Sequence, residues 1–85
     1  MGTTITDDTI TSDLTSHSAR LFSTGWGVTY LDGAWTRDQA ISAITVAELV
    51  DKGASADDLL LTVLAEELGL TAADAIDLIR QEGQE

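Results

Sequence analysis

The sequence contains no cysteine, no proline and only one histidine among its 85 residues. Without cysteine no disulfide can stabilise the fold, and the zinc sites that are built from Cys and His are excluded. No run of about 18 apolar residues is present, so we expect no membrane-spanning helix. The first residues lack a basic region followed by an apolar one, and we therefore expect a cytoplasmic protein. At this length the chain forms one domain.

Basic residues are also scarce, because four Lys or Arg stand against 15 Asp or Glu, and the formal net charge is −11. The imbalance grows along the chain: residues 1–42 have five acids and two bases (net −3), whereas residues 43–85 have ten acids and two bases (net −8). Affinity for phosphate comes from Lys and Arg, so direct binding to nucleic acid or to an anionic membrane is not expected. A protein with a basic surface is the expected partner. Alternatively, the charge serves only to keep a small protein in solution.

Residues 1–24 are rich in hydroxyl side chains, with eleven Ser or Thr. Within them the apolar residues and the histidine recur at helical spacing, at Ile10, Leu14, His17, Leu21 and Phe22. This spacing predicts a first helix over about residues 8–23, preceded by a flexible arm at residues 1–6.

The stretch "GWGVTYLDGAWT", residues 25–36, holds three of the four aromatic residues. Its Asp32-Gly33 pair is typical of the two-residue loop of a β-hairpin, because both residues tolerate positive φ. A hairpin over about residues 26–36 would place four large side chains on one face: Trp26, Val28, Tyr30 and Trp35. This face would either cover the core or form a binding surface, since Trp and Tyr are enriched in binding hot spots.

Three helices are predicted after the hairpin. Thr36 and Gln39 have the spacing of a capping box for a helix that ends near Lys52, and this helix is apolar around most of its circumference, which is typical of a central, buried helix. Ser55 would cap a second helix over about residues 56–68, and Thr71 a third over 72–82. The fold class is therefore predicted as mainly α: a single domain over residues 7–82 with about four helices and one hairpin, followed by a frayed tail at 83–85.

The helix over residues 56–68 has more leucines than one buried stripe needs. Six large apolar residues lie in it: Leu59, Leu60, Leu61, Val63, Leu64 and Leu68. Either this helix is packed on two sides, or part of it forms the interface of a homodimer.

The segment "LTVLAEELGLTAADAIDLIR", Leu61 to Arg80, resembles a helix-turn-helix. Ala65 stands where the first helix of that motif has a small residue, and Gly69 stands at the turn. The apolar positions of the motif are filled by Leu64, Leu68, Leu70, Ala75 and Leu78. The resemblance implies a second helix that enters the major groove, and hence a DNA-binding transcriptional regulator. However, Asp74 and Asp77 occupy positions that would face DNA, which disfavours reading of bases.

Little in the sequence is typical of catalysis. His17 lies between two serines, and Asp13 is one helical turn away, but adjacent serines on a helix point elsewhere. No calcium-loop, phosphate-loop or zinc-protease pattern occurs. We therefore expect no catalytic, cofactor or metal site and no enzyme.

The expected function is that of a small acidic protein-binding module. Its sharper form is a regulator or inhibitor that occupies the basic, nucleic-acid-binding surface of a partner protein, a form of nucleic-acid mimicry. Small inhibitors of the phage or plasmid type offer an analogy in size and charge. The candidate partner-binding residues are six acids and two tryptophans: Asp57, Asp58, Glu66, Glu67, Asp74, Asp77, Trp26 and Trp35.

Overall fold

The computed structural model describes residues 3–31 and 33–82, and these residues form an α+β fold in which an antiparallel sheet precedes three helices. The strands are β1 (Thr3–Ile5), β2 (Thr9–Ser12), β3 (Ala19–Phe22) and β4 (Gly25–Val28), in the order β1-β2-β3-β4. The helices are α1 (Arg37–Asp51), α2 (Leu59–Glu67) and α3 (Ala72–Glu82). Within the described residues no helix is both long and apolar enough to cross a membrane.

Strands β2 and β3 occupy the stretch in which a first helix was predicted, so the predicted helix over residues 8–23 and the mainly α fold class are wrong. Threonine explains the error, because its β-branched side chain suits a pleated strand better than a helix. In β2 the buried Ile10 is followed by the exposed Thr11, the alternation of a strand. The helical spacing was coincidental, since Leu21 and Phe22 are 43% and 57% exposed.

The register of the sheet separates an inner face from an outer face. Ile10 pairs with Ala19, and Ala19 pairs with Val28, so these three residues form a buried row that faces the helices. The neighbouring row pairs Thr9 with Arg20 and Arg20 with Gly27, and it faces outward. One face of the sheet is therefore part of the core, and the other lies toward solvent.

The predicted hairpin over residues 26–36 is also wrong, and with it the expectation of an all-α protein with a single hairpin. Trp35 pairs with Trp26 through reciprocal N–H to carbonyl hydrogen bonds of 2.9 Å, whereas a two-residue loop at 32–33 would pair it with Tyr30. Strand β4 pairs instead with β3, and the chain turns after Val28, whose carbonyl accepts from the N–H of Leu31 at 3.0 Å. Asp32, in the predicted loop, lies outside the described residues.

Helix α1 is the central helix that the sequence predicts. Thr36 and Gln39 form the predicted capping box, with reciprocal hydrogen bonds of 3.0 and 3.1 Å, and Gly53 follows the helix with φ +97°. The helix contacts strands β2, β3 and β4 and also both other helices. Its buried residues are Ala40, Ser42, Ala43, Ile44, Val46, Ala47 and Val50.

The predicted bounds are correct for helix α3, but the predicted start of helix α2 is wrong. Helix α2 begins at Leu59, three residues later than predicted, because its N-cap is Asp58, whose carboxylate accepts from the N–H of Leu61 at 3.1 Å. Helix α3 has the predicted bounds, and the Thr71 hydroxyl accepts from the N–H of Asp74 at 3.1 Å.

The predicted ends of the domain fall partly outside the described residues. Strand β1, at residues 3–5, lies within the stretch that was predicted as a flexible arm. Residues 1 and 2 and the predicted frayed tail at 83–85 lie outside the part of the chain that the structure describes.

Tyr30 joins the segment after β4 to the central helix. Its side chain is buried, and its hydroxyl donates to the backbone carbonyl of Ala43 at 2.6 Å. Burial raises the pKa of this hydroxyl above its usual value, because the charged phenolate is poorly solvated in the core.

We predict that Tyr30→Phe lowers the free energy of unfolding by about 1 kcal/mol at neutral pH, through loss of this hydrogen bond. The unfolded chain releases the phenolic proton near pH 10, below the pKa in the folded state. The native protein should therefore lose up to about 1.4 kcal/mol per pH unit above pH 10, and the variant should not share this loss. Urea unfolding of both proteins at pH 8 and pH 11 measures the difference. The prediction would be contradicted if the free energy of unfolding of the native protein exceeded that of the variant by the same amount at both pH values.

Candidate interaction surface

Helix α2 divides its large apolar side chains between the core and the surface. Leu61, Ala65 and Leu68 are at most 4% exposed and face α1 and α3. The opposite side presents Leu59, Leu60 and Val63, which are 76%, 54% and 47% exposed and which we call the apolar strip. Among the described residues, therefore, no second element packs against this side of α2 and covers the surplus leucines.

Acidic residues border the apolar strip at both ends of α2. Asp57 lies just before the helix, and Glu66 and Glu67 lie in its last turn; all three are exposed. The five exposed members of the predicted acidic set are Asp57, Glu66, Glu67, Asp74 and Asp77, whereas Asp58 is half-buried. Most of the six candidate acids are thus exposed. The carboxylate of Asp58 serves as the N-cap.

The end of α2 is held against the start of α1 by two polar contacts. The carboxylate of Glu67 accepts from the Ser42 hydroxyl at 2.9 Å, and the Gln39 side-chain amide donates to the Glu67 carbonyl at 3.4 Å. Asp38 is exposed in the first turn of α1, beside these contacts.

Helix α3 begins after a short turn, which returns the chain from the end of α2. Gly69 adopts φ +75° in this turn, as is typical of a helix C-terminus. The first turn of α3 then presents Asp74. We call the four exposed acids at this junction the acidic end: Asp38, Glu66, Glu67 and Asp74.

The acids at the end of α2 are not placed where they would stabilise their helix. The last carbonyls of a helix carry partial negative charge, so cations are favoured there and carboxylates are not. The last turn of α2 contains no basic residue. By contrast, Asp74 lies in the first turn of α3, where a carboxylate is favourable. Within residues 3–31 and 33–82 no basic side chain pairs with Glu66 or Asp74.

The predicted tryptophans occupy different positions from the acids. Trp26 is 5% exposed and lies in the core with Tyr30, so the aromatic side chains at these two positions serve as core. Trp35 is half-buried and packs against the same core. Glu66 and Glu67 are thus exposed at the end of α2 and Asp74 is exposed at the start of α3, whereas Trp26 is buried in the core.

The helix-turn-helix resemblance holds for the order of the elements and for the turn, but not for the charge of the second helix. The exposed positions of α3 include Ala73, Asp74, Asp77 and Arg80. Only Arg80, in the last turn, could attract a phosphate.

His17 is a structural residue that connects the sheet to α3. It is 5% exposed, its Nδ1 lies 2.9 Å from the Thr29 hydroxyl, and its Nε2 lies 3.3 Å from the carbonyl of Ile79. A carbonyl can only accept, so Nε2 donates to it, and in the neutral ring Nδ1 accepts from Thr29. Both ring nitrogens are therefore engaged within the fold.

The remaining features supply little chemistry. An open cavity of about 240 Å³ lies on the sheet and is lined in part by Arg20, Phe22 and Gly27. Phe22 lies across Gly27, since a Cβ on that glycine would be 2.8 Å from the ring. Among the described residues no three His, Asp or Glu side chains are grouped as a metal site requires.

The sequence alone did not identify the apolar strip as a candidate site. The surplus of leucines in α2 was visible, but nothing in the sequence showed which of them the core would use. Asp38 was missed for a similar reason, since the contact between the start of α1 and the end of α2 is long-range.

We predict a large loss of stability for one substitution and almost none for another, which together test this division between core and surface. Trp26→Ala should lower the free energy of unfolding by about 3–5 kcal/mol, because it leaves a cavity in the core. Leu59→Ala should change it by less than about 0.5 kcal/mol, because the side chain is exposed and Ala is a strong helix former. Urea unfolding followed by circular dichroism measures both values. Equal losses in the two variants would contradict the assignment of Leu59 to the surface.

Comparison of the chain with protein-family models, curated proteins and solved structures finds no match. The geometry and the charge of the chain both point to α2 and the acidic end as its candidate interaction surface.

Proposed function

We propose that this chain is a non-catalytic protein-binding module, and that its acidic surface occupies the basic, nucleic-acid-binding surface of a partner protein. The observation that carries the proposal is the acidic end. Exposed carboxylates lie there at the start of α1, the end of α2 and the start of α3, and Glu66 and Glu67 occupy helix positions that their own helix disfavours. The net charge of −11 adds a long-range field of the same sign.

A surface that binds nucleic acid presents Lys and Arg at positions suited to phosphates. Carboxylates on short rigid helices offer such a surface a comparable set of negative charges. Glu67 is held by Ser42, so this side chain loses less conformational freedom on binding than a free one. The expected consequence is fast association that weakens as salt is added, because complementary charge mainly steers the encounter.

The second candidate is a DNA-binding regulator of the helix-turn-helix type. The order of α2, a turn at Gly69 and α3 favours it. The exposed Asp74 and Asp77 on α3 oppose it, because they would face phosphate or base edges in the complex. Salt-sensitive binding of duplex DNA by the native chain would support this second candidate, and Arg37 and Arg80 would then be the first residues to substitute.

We predict that the double variant Glu66→Lys/Asp74→Lys binds the partner poorly. The partner is first captured from the source cell on the immobilised native chain, identified by mass spectrometry and purified. The double variant should then associate with it at least about tenfold more slowly than the native chain does, with a flatter dependence on salt, because both changes lie in the acidic end. Duplex DNA should compete with the native chain for the partner. Surface plasmon resonance measures the rates.

The matched control is Asp7→Lys/Asp51→Lys, which changes the net charge by the same amount. Asp7 lies in the turn between β1 and β2, and Asp51 ends α1; both are exposed. This control should keep most of the native association rate. Equal slowing by both double variants would show that total charge, and not the acidic end, determines binding. Failure of duplex DNA to compete would refute occupation of a nucleic-acid-binding surface.

A further inference from the structure

The apolar strip of α2 is the largest group of exposed apolar side chains on the described helices. Leu59 is 76% exposed, and Leu60 and Val63 lie beside it on the same side of the helix. Residues three and four apart are neighbours on a helix surface, so the three side chains form one continuous patch. Leu61 and Ala65 already fill the contact of α2 with the core. Within residues 3–31 and 33–82, therefore, no element covers this patch.

A second copy of the chain is a poor occupant for the apolar strip. A two-fold contact through α2 sets the same surface of both copies against itself. Asp57, Glu66 and Glu67 border the strip, and α2 contains no basic residue that could offset them. Two such surfaces, each on a chain with a net charge of −11, would repel each other. The homodimer that the leucine surplus allows is therefore disfavoured by the charges around the strip.

The carboxylates around the apolar strip instead favour a partner surface that is apolar in its centre and basic at its rim. We propose that the apolar strip and its bordering carboxylates form one docking surface for an amphipathic helix of a partner protein, in which apolar residues are flanked by Lys or Arg. This inference rests on the proposed function and specifies how its partner is recognised. Helix α2 has nine residues and is about 13 Å long, which matches two to three turns of a partner helix.

The two parts of this surface have different roles. Exposed carboxylates attract the basic rim at long range and set the rate of association. The apolar side chains are buried only in the complex, where they act as the central anchor and slow dissociation. Removal of the strip should therefore change the lifetime of the complex, whereas reversal of the carboxylates should change its rate of formation.

The experiment uses a synthetic helix-forming peptide of Leu and Lys at amphipathic spacing as the probe. Two control peptides have the same length: in one each Lys is replaced by Glu, and in the other each Leu is replaced by Ser. Binding to the native chain is followed by fluorescence anisotropy and stopped flow. The Leu/Lys peptide should bind, the Leu/Glu peptide should not, and the Ser/Lys peptide should bind weakly and dissociate fast.

The test variant is Leu59→Ala/Val63→Ala, which should bind the Leu/Lys peptide at least about tenfold more weakly through faster dissociation. Its unfolding midpoint should not fall, since both side chains are exposed and Ala favours helix. The matched control is Leu21→Thr on strand β3, where the native side chain is 43% exposed, close to the 47% of Val63. This control should leave peptide binding unchanged.

Three results would overturn the inference. The first is native-like peptide binding by the Ala variant, and the second is binding of the Leu/Glu peptide as tight as that of the Leu/Lys peptide. The third is a dimer in light scattering that is lost in the Ala variant, because this result would assign the strip to a second copy of the chain. The result for the acidic end remains separate. If duplex DNA fails to compete with the native chain for the captured partner while the Ala variant binds that partner poorly, the docking surface stands and the proposed nucleic-acid mimicry fails.

Discussion

The packing of helix α1 between the sheet and the helix pair is the interaction on which the rest of the structure depends. Its alanines, Ala40, Ala43 and Ala47, are completely buried and let neighbouring elements approach closely. Ile10 and Trp26 from the sheet and Leu61 from α2 belong to the same continuous core. Strands β2, β3 and β4 and both other helices contact α1, so the position of each element is defined relative to this one helix.

This arrangement determines which part of α2 remains exposed. A short helix that rests on α1 with one side can bury only the residues of that side, here Leu61, Ala65 and Leu68. Among the described elements no further layer covers the opposite side. The contact between Glu67 and Ser42, which holds α2 on α1, also fixes the acidic end relative to the apolar strip. The packing of α2 on α1 therefore both stabilises the fold and presents this surface.

Sequence reasoning predicted the helical half of the chain far better than the sheet. Caps, glycines and apolar spacing located α1 and α3 closely, because these signals are local and agree with one another. Over residues 8–23 two signals conflicted: helical spacing of apolar residues and strand-favouring threonines. The conflict was decided by the pairing of Ile10 in β2 with Ala19 in β3, which apolar spacing alone does not display. The exposure of the acids could be predicted because they lie away from the apolar positions of each helix. The exposure of the apolar strip could not be predicted, because it depends on how much of α2 the core covers.

The position of the acids, rather than their number, separates a functional surface from one that only favours solubility. Charge for solubility can lie anywhere exposed, as Asp7 does in the turn between β1 and β2. Asp58 and Asp74 contribute at the starts of their own helices, so folding accounts for them. Glu66 and Glu67 lie at the opposite, negative end of α2, and folding gives no reason for a carboxylate at Glu66 in particular. Local rules of stability are most often broken at functional sites, and this pair stands directly beside the three apolar side chains that the core leaves exposed.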